Sequence, residues 1–179
     1  MRKITLLLLF LITFTSKSQE KMHSTTGITY FEASIPLFEE VKAVNKKTTC
    51  TLITATGDLN CWLSVKDFEF KRNLMQEHFN SIYMESNRYP KALFKGRIDN
   101  FDLKTISSTT SFYQIRGKIT VKGRTKNIII EGSLKKVNNA LEFNAEFPLN
   151  TDDFRVEIPF IVRNKISKIV TTQINCVLK

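Results

Sequence analysis

The sequence predicts an all-β domain: a mostly antiparallel sheet of about eight strands, suited to a closed barrel or a sandwich, with a short helix beside it. Three observations carry this. Apolar and polar residues alternate with period two through most of the chain beyond its first twenty residues. Turn-forming residues break the alternation at short intervals. Two successive hairpins, read independently, agree on one dry face.

The chain opens differently. Arg2 and Lys3 precede the uncharged run ITLLLLFLITFTS and the small or polar SKSQ, the pattern of a secretory signal peptide. The run is shorter than the roughly 20 apolar residues of a spanning helix, with an uncleaved anchor as the alternative reading. Cleavage near Ser18 or Gln19 makes residues 1–19 the signal peptide and 20–179 one domain. That places the domain in the periplasm or outside the cell, with no stable membrane span once the signal is removed. No cysteine ends the apolar run, so no lipid attachment site is read there. The net charge is +10, with Arg2, Lys3 and Lys17 contributed by the leader. Export and the lack of a run of five basic residues argue against nucleic acid. The surplus reads as solubility, or as affinity for an anionic lipid head group.

The strands follow in order. ITYFEASIP is the first. TCTLITATGDLNCWLSV reads as a hairpin about Gly57-Asp58, setting Leu52 opposite Leu63, Thr54 opposite Cys61 and Cys50 opposite Val65. Cys50 and Cys61 then share a face but stand roughly 13 Å apart along it, beyond the about 7 Å a disulfide tolerates between Cα atoms. They are not expected to bond, and Cys176 is left to reach either one. Trp62 falls on the outer face. With His23 and His78 the only histidines, no metal site is expected.

Within RNLMQEHFNSIYMESNRYPKALFKG, Leu74 and His78, and Met75 and Phe79, stack at i and i+4. That is a short amphipathic helix over Lys71–Phe79, laying its apolar face on the sheet. Tyr89-Pro90 forces extended chain before the strand ALFKGRIDNFDL. The hairpin IRGKITVKGRTKNIII turns at Gly123-Arg124, pairing Ile119 with Ile128, Gly117 with Ile130 and Ile115 with Gly132. The next turns at Asn138-Asn139, pairing Leu134 with Phe143, Gly132 with Ala145, Ile130 with Phe147 and Ile128 with Leu149. IVTTQINCVL closes the chain. Gly117, Gly132 and Ala145 on the dry face either leave room for an apolar guest or accommodate coiling and an inserted aromatic. The residues leave both readings open. No nucleophile elbow, phosphate loop or histidine pair is present, so the reading is of a protein that is not an enzyme and needs no cofactor.

The order of SVKDFEFKRNLMQEHFN, YPKALFKGRI, IRGKITVKGRTKNIIIEGSL and FPLNTDDFRVEIPFIV resembles the YceI-like family of exported bacterial proteins. The resemblance runs from about Gly27 to Cys176. It implies a lipocalin-like antiparallel barrel whose apolar interior holds a polyisoprenoid, quinone or fatty-acid-like chain. A flanking helical segment and frequent homodimers are implied as well. The chain departs from the family in opening with EKMHSTTGITYFEASIP, without the Trp-x-x-Asp segment of many members. The wall is expected at Leu52, Leu63, Ile115, Ile119, Ile128, Ile130, Phe143 and Phe147. Lid or head-group contacts are expected at Arg72, Met75, Phe79, Arg88 and Lys91, the charged three being otherwise ordinary solvated surface. The competing function is a filled barrel serving as a non-catalytic interaction or structural module of the cell envelope.

Overall fold

The computed structural model describes residues 20–179; the expected signal peptide lies outside the described residues. Among the described residues nine strands form in chain order: β1 (Lys21–Ser34), β2 (Lys42–Ile53), β3 (Asp58–Ser64), β4 (Glu69–Phe70), β5 (Lys91–Ile98), β6 (Ser111–Val121), β7 (Arg124–Val137), β8 (Ala140–Asn150) and β9 (Ile166–Leu178). A single α-helical turn and a half, α1 (Asn73–His78), sits between β4 and β5 and runs on into a wider π-helical turn over Phe79–Tyr83. Neighbours run β1-β9-β8-β7-β6-β5-β3-β2, and β2 pairs back onto β1, so eight long strands close a lipocalin-like barrel. Every pairing is antiparallel, and β4 only extends the edge of β2 at Ala43 and Val44.

Closure depends on β1, which bonds β9 on one side and β2 on the other. Its register slips on either side of Gly27, giving the bend that closure requires. Gly27 also lets backbone and side chain approach there: a Cβ would stand 2.8 Å from the Thr48 carbonyl oxygen and run into Cys176 Sγ.

Register tests the hairpin readings. The β7–β8 turn pairs Leu134 with Phe143 and Gly132 with Ala145 as expected; the ladder ends there, so Ile130–Phe147 and Ile128–Leu149 do not form. The β6–β7 turn centres on Lys122-Gly123, one residue earlier than expected, with Val121 opposite Arg124. Both central residues have positive φ (46° and 70°), the conformation of a two-residue hairpin that follows the strands' twist. Tertiary contacts select this turn. Lys122 Nζ reaches Glu85 Oε1 at 2.9 Å, and the Tyr89 ring occupies the space beside Gly123. Ile115 therefore faces Ile130, Gly117 faces Ile128, and Ile119 faces Lys126. The displacement is two residues, so each side chain keeps its face.

The β2–β3 hairpin departs further. Asp58 begins β3 instead of occupying the turn. Its carboxylate accepts from Thr56 Oγ1 at 2.6 Å and from Arg97 Nε at 2.7 Å, and the Gly57 N–H donates to the Ile53 carbonyl at 2.9 Å. The longer turn shifts the register by four residues, so Leu52 meets Leu59 and Cys50 meets Cys61. With Cα atoms 4.1 Å apart, Cys50 and Cys61 form a disulfide, overturning the expectation that they could not bond. Cys176 remains a buried thiol and donates to Cys50 Sγ at 3.2 Å.

The two ends of the barrel are filled unequally. At the end holding the β7–β8 turn and the β5–β6 connection, Leu52, Leu59, Ile98, Ile115, Leu134, Leu141, Phe143 and Leu178 are all buried and form one cluster. Ile106 and the partly buried Phe101 and Leu103 of the connection pack against it from below. The small residues serve this plug: a Cβ at Gly132 would stand 2.7 Å from Ile115 Cδ1 and 2.9 Å from the Phe143 ring. At Gly117 a Cβ would stand 2.5 Å from the Lys95 carbonyl oxygen and 2.7 Å from Gly96 Cα, with the Phe94 ring at 2.9 Å. At Gly117 and Gly132 the space is taken by close strand approach and by neighbouring side chains, not by a void.

Burial in the plug pushes the Cys176 thiol up to about 12 from an ordinary value near 9. The fold thus favours the protonated thiol. Its contribution is complete below about pH 9 and is lost as pH rises toward 12. We predict that wild-type protein loses up to about 1.4 kcal/mol per pH unit more than Cys176→Ala above pH 9, read from urea-unfolding midpoints. Equal slopes in the two proteins would show that the thiol carries no such linkage.

Candidate functional site: an apolar cavity beneath a helical lid

Above the plug the barrel is hollow. A cavity of about 490 Å³ opens at the end that holds the β1–β2 loop, α1 and the β8–β9 connection. The change in filling follows side-chain size. Inward positions of the lower half carry Leu, Ile and Phe, whereas those of the upper half include Thr29 and Ala33 on β1, Ala92 on β5, and Val170 and Thr172 on β9. A barrel's backbone fixes its diameter, so shorter side chains facing one another leave a void. Cys61, Phe94, Ile119, Phe147 and Ile174 belong both to the buried cluster and to the lining, and they make the floor. Two polar groups of the wall satisfy each other, the Thr29 and Thr48 hydroxyls bonding at 2.7 Å, whereas the buried Thr151 hydroxyl has no hydrogen-bond partner.

Four phenylalanines hold the lid. Phe79, at the end of α1, stacks on Phe31 with centroids 5.4 Å apart, meets Phe70 at 5.0 Å and Phe68 edge-on at 5.7 Å. Phe31 in turn meets Phe68 and Phe70 edge-on. Such pairs contribute about 0.5–1.5 kcal/mol each beyond their buried area. The start of the helix is tied to the β1–β2 loop by the Arg72–Glu39 ion pair, and the Gln76 side chain accepts from the Phe70 N–H at 3.3 Å. Beyond the π-helical turn, Glu85 pairs with Lys122; the hydrogen bond from that ammonium holds the Glu85 carboxyl below the usual range. No residue of α1 is buried. Leu74, Met75 and His78 instead project over the void that they line. An amphipathic face laid across a hollow has less to pack against than one laid on a filled barrel.

The expected wall residues divide between the two halves. Leu63, Ile119 and Phe147 line the cavity. Leu52, Ile115, Ile130 and Phe143 lie in the buried cluster, with Ile128 packed against it. Their register carries them toward the closed end, so they are not part of the cavity wall. Arg72, Met75 and Phe79 line the mouth. Arg88 and Lys91 do not: Arg88 lies against Glu85 and the Tyr89 ring, and Lys91 Nζ sits 4.5 Å over the outward-facing Trp62 ring. The third side of the mouth is not marked by strand periodicity. Phe154, Val156, Ile158, Val162 and Ile166 of the β8–β9 connection and the start of β9 all line it. The apolar alternation in DFRVEIPFIV was the available signal, but a connection without regular pairing gives no register from which to infer facing. Among the described residues no cluster of His, Cys, Asp or Glu is arranged to hold a metal ion.

Known structures share this architecture. The fold is similar to that of a polyisoprenoid binding domain from Saccharophagus degradans implicated in plant cell wall breakdown, with 12% identity, 90% of this chain and 99% of that chain covered, and a TM-score of 0.76. It is similar also to Burkholderia cenocepacia BcnA, at 14% identity over 85% of this chain and 96% of that one, with a TM-score of 0.68. A Campylobacter jejuni YCEI protein matches at 14% identity over 80% and 86%, with a TM-score of 0.63. At such identities the likeness is one of fold. No curated protein matches the sequence. The sequence profile of the YceI-like domain, however, matches residues 12–178. With nearly the whole chain accounted for, this protein belongs to the YceI-like domain family.

Proposed function

We propose that this protein is an exported carrier that sequesters one apolar chain, a polyisoprenoid, quinone or fatty-acid-like lipid, in the upper half of its barrel. The observation that carries this reading is the open, apolar cavity of about 490 Å³ beneath a tethered lid. Its size falls among small-molecule sites, which span about 300–1,000 Å³. Family membership and the polyisoprenoid-binding neighbour support the ligand class. Affinity would come from burial alone: ten methylenes leaving water supply roughly 8 kcal/mol, a micromolar scale before ordering costs. Export is supported by the signal-like start of the sequence and by the Cys50–Cys61 disulfide, a bond that persists in oxidising compartments. The competing reading, a filled barrel acting as a structural module, matches the lower half but leaves the upper half unexplained.

Native mass spectrometry of protein purified from its host tests the proposal directly. We expect a co-purifying lipid in wild type and its loss in Val170→Trp, which fills the cavity at little cost to stability. Ile115→Trp, placed in the plug, is expected to destabilise the fold by about 1–3 kcal/mol. Wild-type protein that arrives empty and takes up no isoprenoid or fatty acid would refute the carrier reading. Phe79→Ala removes the ring that joins lid to barrel. It should speed release of a fluorescent fatty-acid analogue by about tenfold, equivalent to roughly 1.4 kcal/mol, in stopped-flow displacement. An unchanged rate would remove the helix from the ligand's exit path.

A further inference from the structure

The mouth of the cavity carries apolar side chains that fill nothing. Phe160 and Ile161, at the tip of the β8–β9 connection, are 75% and 86% exposed. Leu37 and Phe38 on the β1–β2 loop and Leu74 and Ile82 on the lid are exposed at the same end. Neighbours of these residues, Glu39 and Val41, Met75, and Ile158 and Val162, line one opening, which places the three segments around a single rim. Large apolar groups collected on loop tips around an opening differ from the scattered surface apolars of an ordinary domain.

The unpaired charges on this rim are mostly positive, the unpaired carboxylates being Glu157 in the connection and Glu77 on the lid. Lys122 and Lys126 are paired with Glu85 and Asp153. Among the described residues, Arg124, Arg155, Arg163 and Lys165 enter no ion pair. Arg163 lies 4.4 Å over the Phe160 ring, and Lys165 lines the cavity mouth. Arg124 and Arg155 border an adjoining groove that runs between Ile82 on the lid and Phe160. Apolar tips bracketed by cations form a two-part anchor: the apolar part enters the acyl boundary and the cations remain among anionic head groups.

From this juxtaposition we propose that the open end of the barrel docks on the surface of an anionic lipid bilayer, with Phe160 and Ile161 inserted and the cavity mouth turned to the membrane. The occupant is a bilayer and not a second copy of this chain, because two such rims face to face would bring Arg155, Arg163 and Lys165 against their own counterparts. Among the described residues no helix is long and apolar enough to cross a membrane, so the contact is peripheral. The docking rests on the rim, and the carrier function on the cavity, so the two stand or fall separately.

Vesicle co-sedimentation tests the docking, using phosphatidylcholine vesicles with and without phosphatidylglycerol at low and raised salt. Wild type is expected to bind the anionic vesicles at least about tenfold better than the neutral ones, and less well as salt rises. Phe160→Ser/Ile161→Ser should lose most binding to both vesicle types. Arg163→Gln/Lys165→Gln should lose mainly the preference for anionic lipid. Both variants remove exposed groups, and an unchanged melting temperature confirms that each is folded. Indifference of wild type to vesicles, or undiminished binding by the serine variant, would overturn the proposal. A dimer in sedimentation velocity that the serine variant dissolves would overturn it too, assigning the rim to self-association. Lipid in the native mass spectrum of a protein that ignores vesicles would refute the docking alone and leave the carrier standing.

Discussion

The whole structure depends on one strand bonding along both edges. Because β1 pairs with β9 and with β2, the sheet closes on itself, parting only where β7 and β8 separate beyond Gly132 and Ala145, and its interior volume is set largely by backbone geometry. An open sheet can collapse around whatever side chains it carries; a closed one cannot. Whether a given level is solid or hollow then reduces to the summed volume of the inward side chains at that level. Leu, Ile and Phe fill the lower half, and Thr, Ala and Val fail to fill the upper. The close approach at Gly27, where β1 passes Cys176 and Thr48, is the local condition of that closure.

This division explains what could be read from the residues alone. Facing was legible almost throughout, because alternation fixes parity and each register error was an even number of residues. Ile115, Ile119, Ile130, Phe143 and Phe147 are all inward and buried, as their spacing implied. Height along the barrel was not legible. A hairpin's pairing depends on which residues form the turn, and Lys122-Gly123 and Thr54–Gly57 were selected by partners far away in sequence: Glu85 and Tyr89 for one, Arg97 for the other. The disulfide shows the consequence. Four residues of slip separate a pair about 13 Å apart from one with Cα atoms 4.1 Å apart.

The same distinction governs the candidate site. Glycine and alanine on the dry face were compatible with space or with close packing, and Gly117 and Gly132 are closed off by the β5 backbone and by the Phe94, Ile115 and Phe143 side chains. Small residues mark a cavity only when no aromatic from a neighbouring strand reaches across them, and that is a matter of height. The helix was legible because its i, i+4 pattern is local. The role of Phe79 was not, since the rings it meets come from β1, from β4 and from the turn between β3 and β4. The β8–β9 connection was illegible for a related reason: its apolar residues line the mouth without belonging to a ladder.

A void of this size constrains what the protein can be. If it were sealed and dry, the cost at the rate found for core cavities would be on the order of 10 kcal/mol, as large as the whole stability of a typical domain. The cavity therefore persists only because it is open at one end and its walls cannot close inward. The disulfide at the floor ties β2 to β3 where the packing changes, and the Thr29–Thr48 bond satisfies polar groups that would otherwise favour collapse around water. Water admitted through the mouth meets an almost wholly apolar wall, on which it gains few hydrogen bonds. An apolar chain replacing that water recovers the contacts the void forfeits. Rigidity below and apolar openness above are thus two halves of one arrangement: the plug supplies the stability that lets the upper barrel remain unfilled, and what remains unfilled is an open, apolar space.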